Sequence, residues 1–177
     1  MNYLAHIFLS GDNRRVQIGN FVGDAVKGRA YENYPSGFRE GILLHREIDD
    51  YTDHHPVVRE VIDMLRGDFG RYSGLSLRWF ACGFYGALVL NYRHLPERFK
   101  GFLWHFILTN RLVRYASLSG IKRSLEIMVE YKNLGVDPEA AIVFFERNQD
   151  RLQELFDRFL PDVQKKCRMM LEADTSC

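Results

Sequence analysis

The chain has 177 residues, of which 46% are hydrophobic, 27% charged and 14% aromatic. That balance describes one ordinary globular domain with a sizeable aromatic core, and it excludes a disordered or membrane-embedded chain. The net charge of +1 excludes the strongly basic character of a nucleic-acid-binding domain, and no motif supports a nucleic-acid partner.

The first segment, Met1 to Ser10, is apolar but short, carries His6 and lacks a basic leader, unlike a secretory signal. No stretch reaches the ~20 apolar residues that span a bilayer, so a membrane partner is not expected. Apolar residues then recur at helical spacing along the chain, with no sustained alternation of the strand kind. Ile18, Phe21, Val22 and Ala25 form one stripe, and Val58, Val61, Ile62 and Leu65 a second. Phe80, Phe84, Ala87 and Leu88 follow, then Phe99, Phe102, Leu103 and Phe106, then Leu125, Met128 and Val129, and finally Leu152, Leu155, Phe156 and Phe159. Punctuation falls between the stripes at Tyr34-Pro35-Ser36-Gly37, His55-Pro56, Leu95-Pro96, Leu134-Gly135 and Asp137-Pro138. The pattern predicts an all-α fold, a compact bundle of about seven or eight helices with residues 1–177 as a single domain. The cysteines, Cys82, Cys167 and Cys177, are odd in number and lack metal or redox spacing, which suits reduced thiols in a cytoplasmic protein.

The segment Gly41 to Asp53 carries the chemistry. On a helix, His45, Asp49 and Asp53 follow one another at i, i+4 and i+8 and line one strip of surface. Phe38, Ile42, His45, Ile48, Asp49 and Thr52 fit a single inward stripe, which places an imidazole and a carboxylate where apolar residues are expected. A buried charge needs a partner, and His with Asp are ligands for Mn, Fe and Zn. A plain helical His45–Asp49 pair with Asp53 as a cap is the alternative. His54 and His55 are both expected in solvent. Upstream, Asp24 lies between Phe21 and Ala25, with Gly23 and Gly28 permitting close backbone approach, and His6 is embedded in apolar sequence. A satisfied core histidine is the alternative reading of His6.

Charge is unevenly distributed. Between Arg93 and Arg123, seven basic residues (Arg93, Arg98, Lys100, Arg111, Arg114, Lys122 and Arg123) face the single acid Glu97. The segment can steer an acidic partner, or it can be the solvated face of two helices.

Met1-Asn2-Tyr3-Leu4-Ala5-His6, Gly19-Asn20-Phe21 with Gly23-Asp24 and Lys27-Gly28, and Gly41-Ile42 with His45-Arg46, Ile48-Asp49 and Thr52-Asp53 together resemble the bacterial acyl carrier protein phosphodiesterases. Leu95-Pro96-Glu97-Arg98, Asn110-Arg111-Leu112, Tyr115 and Gly120-Ile121 extend the resemblance over most of the chain. The resemblance implies an all-helical relative of the HD-domain metal-dependent phosphohydrolases. The implied reaction is hydrolysis of the phosphodiester linking 4′-phosphopantetheine to holo acyl carrier protein, in the context of fatty acid biosynthesis. It implies a divalent metal, manganese being the usual activator with Fe2+, Mg2+ or Co2+ as alternatives, and candidate ligands His6, Asp24, His45, Asp49 and Asp53. In the mechanism that follows, Asp24, His45 and Asp49 are catalytic, and Lys27 and Arg46 supply cations for the phosphoryl oxygens. Holo acyl carrier protein, acidic as its class typically is, would dock on Arg93, Arg98, Lys100, Arg111 and Arg114.

One departure stands out. The family's Arg-Tyr segment is normally followed by a helix containing Asp-His-Phe-Leu and a tryptophan, whereas here Arg71-Tyr72-Ser73-Gly74 runs almost directly into Leu77-Arg78-Trp79-Phe80. Two other functions therefore stay open: an HD-type hydrolase of nucleotides or small phosphate esters, and an impaired family member that serves as a binding protein.

Overall fold

The computed structural model describes residues 3–65, 83–114, 117, 119–120, 122–124, 126–127 and 137–174. Among these there is no strand, and the fold is all-α as the periodicity predicts. The apparent deletion after Gly74, the stripe Leu125, Met128 and Val129, and the break at Leu134-Gly135 lie outside the described residues, as do the side chains of Val61, Ile62 and Leu65.

Helix α1 (Tyr3–Leu9) turns at Gly11, whose φ of +64° lies in the left-handed region that glycine tolerates. Helix α2 (Arg14–Val22) is capped by Asn13, whose side chain accepts from the Arg15 N–H. A 3-10 turn at Gly23–Ala25 and another at Ala30–Asn33 lead to α3 (Ser36–His54). Proline stands at the start of four helices. Pro35 immediately precedes α3, Pro56 opens α4 (Pro56–Leu65), Pro96 precedes the helix Glu97–Leu108, and Pro138 opens Pro138–Arg147 behind the Asp137 cap. Residues 83–90 are helical, a short helix spans Arg111–Arg114, and a long one, Gln149–Asp174, closes the described chain.

The pairing of α2 with α3 organises the fold. A Cβ at Gly19 would stand 2.2 Å from the Phe38 carbonyl oxygen, and one at Gly41 would stand 2.1 Å from the Val16 carbonyl oxygen. Backbone therefore meets backbone at this crossing, which no larger residue permits. Contacts advance in the same direction along both helices, from Gly37 against Arg15, through Gly41 against Val16 and Asn20, to His45 against Gly23.

Two apolar clusters flank α3. The first gathers aromatic residues around Phe21, whose ring lies 5.0 Å from Tyr3, 5.4 Å from Phe84, 4.9 Å from Phe99 and 5.0 Å from Phe106. Phe38 and Ile42 join it from α3. The second sets Leu44, Ile48, Leu9, Val16 and Val57 against Leu155, Phe159, Val163 and Cys167, which recur every fourth residue on the closing helix. His45 lies on α3 between the residues that enter the two clusters. No described helix is long and apolar enough to cross a membrane.

Candidate metal centre

His6, His45 and Asp49 converge. Their ligand-capable atoms all lie within 4.8 Å of one another. The two imidazoles stack, with ring centroids 4.0 Å apart and planes inclined by 18°. Asp49 reaches both: Oδ1 lies 3.3 Å from His6 Nε2, and Oδ2 lies 3.3 Å from His45 Nε2. Asp24 approaches from the 3-10 turn, with Oδ1 3.6 Å from His45 Nε2. Both histidines are buried, while Asp49 is half-buried and Asp24 exposed, so the acids form the solvent side of the cluster.

The burial of His45 against α2 depends on Gly23. A Cβ there would stand 2.4 Å from His45 Cγ, so the close approach expected of this glycine is realised. Gly28 differs, because nothing lies within 4 Å of a Cβ there and its φ is +56°. Its glycine answers a backbone conformation rather than a contact.

Asn20, which the sequence marked only as part of the Gly19-Asn20-Phe21 motif, ties the three helices together. Its side-chain amide donates to the His6 carbonyl (2.9 Å) and to Ser10 Oγ (2.8 Å), and its backbone carbonyl accepts from His45 Nδ1 (2.7 Å). That last bond fixes the imidazole's orientation and leaves Nε2 as the nitrogen turned toward Asp49 and Asp24. A polar residue beside Phe21 on a stripe of buried positions was the available signal.

The electrostatics follow from these contacts. Burial alone would lower the His45 pKa, but Asp24 and Asp49 outweigh it and raise it to about 9. His6 moves the other way, because burial lowers its pKa and the neighbouring Asp49 carboxylate only partly compensates. Contact with His45 holds the Asp24 carboxyl low. At Asp49, burial opposes ionisation but the two imidazoles prevail and hold the carboxyl far below its usual range.

Among the described residues, the buried side-chain nitrogen and oxygen atoms without a hydrogen-bond partner are His6 Nδ1 and Nε2, His45 Nε2, Asn20 Oδ1 and Thr52 Oγ1. All belong to α1, α2 and α3. The His6 and His45 Nε2 atoms lie at ion-pair distance from carboxylate oxygens without forming aligned hydrogen bonds. Such orphans are costly unless something else satisfies them. Ligands held at ~2.0–2.2 Å from one ion stand up to roughly 4.4 Å apart, and the spacing of this donor set, within 4.8 Å, comes close to that of a divalent-metal site. Two imidazoles and a carboxylate are also appropriate donors for a first-row ion.

Other expected site residues lie elsewhere. Asp53 is exposed on the last turn of α3 and outside the cluster, because the strip through His45 and Asp49 rotates past the site as the helix ends. Arg46 turns away from the cluster, and its Nη2 donates to the carbonyls of Val26 and Gly28. Lys27 is exposed, three residues beyond Asp24. His54 is exposed, but His55 is buried, contrary to expectation. The chain turns inward after α3, and His55 packs on Phe159 at 5.0 Å with Nε2 3.3 Å from Asp162 Oδ2.

The family model for acyl carrier protein phosphodiesterase matches residues 1–77 and 64–163. The chain belongs to that family. An acyl carrier protein phosphodiesterase of Yersinia pestis is 26% identical over 189 aligned residues that take in 95% of this chain and 98% of the relative. Those named acyl carrier protein phosphodiesterase in Salmonella agona (strain SL483) and Salmonella newport (strain SL254) are 38% identical over 77 residues, 44% of this chain and 40% of each relative. No solved structure matches. The two matched segments of this family member overlap at residues 64–77.

Proposed function

We propose that the chain hydrolyses the phosphodiester joining 4′-phosphopantetheine to holo acyl carrier protein, releasing apo carrier protein, at a divalent-metal centre held by His6, His45 and Asp49. The observation that carries this reading is the meeting of two buried imidazoles and a carboxylate within 4.8 Å in a member of the phosphodiesterase family. The 1–177 chain is taken as one cytoplasmic domain, with a place in fatty acid biosynthesis.

When bound, a divalent ion supplies charge neutralisation at the diester oxygens and activation of water, and Mn2+ is proposed with Fe2+, Mg2+ and Co2+ as alternatives. The chain's own groups do the rest. His6 and His45 are buried and stacked, so they enter the reaction already oriented, without ordering cost at the moment of binding. Asn20 holds His45 through Nδ1. Asp24, exposed and 3.6 Å from His45 Nε2, is placed to take a proton from the attacking water. Lys27, exposed on the same loop, brings a cation to the phosphoryl oxygens.

Docking is assigned to the basic segment. Lys100 is paired with Glu97 at 2.6 Å, Arg123 with Glu126 at 2.8 Å and Lys122 with Glu139. Arg93, Arg98, Arg111 and Arg114 have no carboxylate partner among the described residues. These four, with Lys100, carry the charge available to an acidic protein.

The two-part family match favours a second reading, a chain that binds carrier protein without hydrolysing it. One assay separates them. Holo acyl carrier protein is incubated with the chain and Mn2+, and mass spectrometry follows loss of the phosphopantetheine group. Turnover by the wild type, abolished in Asp49→Ala and nearly so in His45→Ala, supports hydrolysis. Binding without turnover across Mn2+, Fe2+, Mg2+ and Co2+ supports the second reading, and turnover of nucleotides or small phosphate esters alone would move the substrate class.

A further inference from the structure

Arg46 follows His45 on α3, and side chains of adjacent helical residues diverge by about 100°. It therefore leaves the cluster and crosses to the segment after α2. Its Nη2 donates to the Val26 carbonyl at 3.0 Å and the Gly28 carbonyl at 2.7 Å, and its guanidinium lies 5.2 Å from the centre of the Tyr31 ring. Both acceptors belong to the loop that carries Asp24. One end of that loop is pinned where Gly23 meets the His45 ring, and Val26 is buried in the first apolar cluster. At the other end Gly28 adopts φ +56°, and the Lys27 carbonyl accepts from the Ala30 N–H.

We infer that Arg46 is a positioning residue which, through the Val26 and Gly28 carbonyls, holds the 23–28 loop against α3 so that Asp24 stands at His45. This rests on the hydrolytic reading above only for its effect on rate. The loop has one short 3-10 turn and little other backbone bonding, so its conformation depends on that guanidinium. One terminal nitrogen, Nη2, serves both carbonyls while the guanidinium lies over the Tyr31 ring, and a lysine ammonium lacks that flat face. Arg46 thereby acts on the reaction through Asp24 and not by touching the phosphoryl oxygens.

The test combines a double-mutant cycle with hydrogen exchange. Asp24→Asn, Arg46→Met, Arg46→Lys and the pair Asp24→Asn with Arg46→Met are assayed on holo acyl carrier protein. Arg46→Met alone is expected to lower kcat by roughly tenfold with KM within about twofold, and to add less than about twofold once Asp24 is already Asn, because residues acting as a unit are not additive. Arg46→Lys should fall between wild type and Arg46→Met. Amide exchange in the metal-free chain should quicken by roughly tenfold or more over residues 24–30 in Arg46→Met, at unchanged global stability, and should not quicken in Asp24→Asn.

Multiplicative losses in the cycle, or a raised KM independent of Asp24, would place Arg46 on the substrate and overturn the inference. So would unchanged exchange in the loop. If Arg46→Met does not fold, the lysine variant supplies both readouts. A wild-type chain without hydrolytic activity would remove the functional reading while exchange over 24–30 still decided the role of Arg46.

Discussion

His45 illustrates how one side chain's surroundings set its chemistry. Its Nδ1 is committed to the Asn20 carbonyl, and Asp24 and Asp49 raise its pKa to about 9, so at neutral pH the metal-free imidazole holds a proton on Nε2. A metal must displace that proton, which makes binding stronger as pH rises. His6, whose pKa burial lowers, is neutral at pH 7 and releases none. Titration calorimetry of Mn2+ into the metal-free chain should therefore show affinity rising roughly tenfold per pH unit between pH 6.5 and 8.5, with about one proton released. A flat profile would take His45 out of the ligand set. The same shift has a stability consequence with a definite sign. A pKa raised above the ordinary 6.5 adds stability that is complete below that value and is lost as pH climbs through about 9. Thermal melts of the metal-free chain should decline over that alkaline window, and His45→Gln should flatten the decline. His6, His45 and Asp49 were legible because each interrupts an apolar stripe, and polar groups are costly there. Asp53 was misplaced because the i+8 rule does not register where a helix meets solvent. Arg46, expected beside the phosphoryl oxygens, points instead to the Val26 and Gly28 carbonyls, because proximity in sequence is not proximity on a helix. Asn20 was passed over because its bonds to His6 and His45 reach 14 and 25 residues along the chain, separations no local pattern encodes.

Among elements, the α2–α3 crossing limits what the site tolerates. The obstacle to a Cβ at Gly41 is the Val16 carbonyl oxygen at 2.1 Å and the Asn20 nitrogen at 2.6 Å, both backbone, so neither helix can yield without moving as a whole. Overpacking costs about 1–3 kcal/mol where side chains can adjust and more where they cannot. Gly41→Ala should consequently lose about 3 kcal/mol or more in urea denaturation. Gly23→Ala should be more selective, because its Cβ would collide with the root of the His45 ring. Metal affinity should collapse while much of the fold survives. Gly101 provides the control: it lies within the helix Glu97–Leu108, is exposed and has nothing within 4 Å of a Cβ, so Gly101→Ala should gain roughly 0.5–1 kcal/mol. A loss of stability there, or a tolerated alanine at Gly41, would contradict the packing. The starts of four helices were readable from Pro35 and Pro96, which immediately precede the first turn, and from Pro56 and Pro138, whose missing N–H suits it. The 3-10 turn that carries Asp24 was not, since Phe21, Val22 and Ala25 keep helical spacing through it while the α-helix ends at Val22.

For the whole molecule, charge segregation is the property that no single contact reveals. The chain is nearly neutral at +1, yet the stretch from Arg93 to Arg123 holds seven basic residues against Glu97. Folding removes part of that excess, because Lys122 and Arg123 find Glu139 and Glu126. Arg111 stays available with its guanidinium 5.7 Å from the centre of the Phe102 ring, a contact that supports the side chain without neutralising it, and Arg114 is exposed on the next turn. In the proposed docking, long-range attraction toward an acidic protein would rest on the arginines without a carboxylate partner among the described residues, and it would act on encounter rather than on chemistry. Reversing both, as Arg111→Glu with Arg114→Glu, should raise KM for holo acyl carrier protein by roughly tenfold at low salt and leave kcat nearly unchanged. The effect should shrink as ionic strength approaches the ~0.15 M at which the screening length is about 8 Å. Lys122→Glu is the informative comparison, since that lysine's charge is already matched by Glu139 and its reversal should change KM much less. If the double reversal left KM and its salt dependence as they were, the carrier protein would have to approach the His6–His45–Asp49 centre over another face of the bundle.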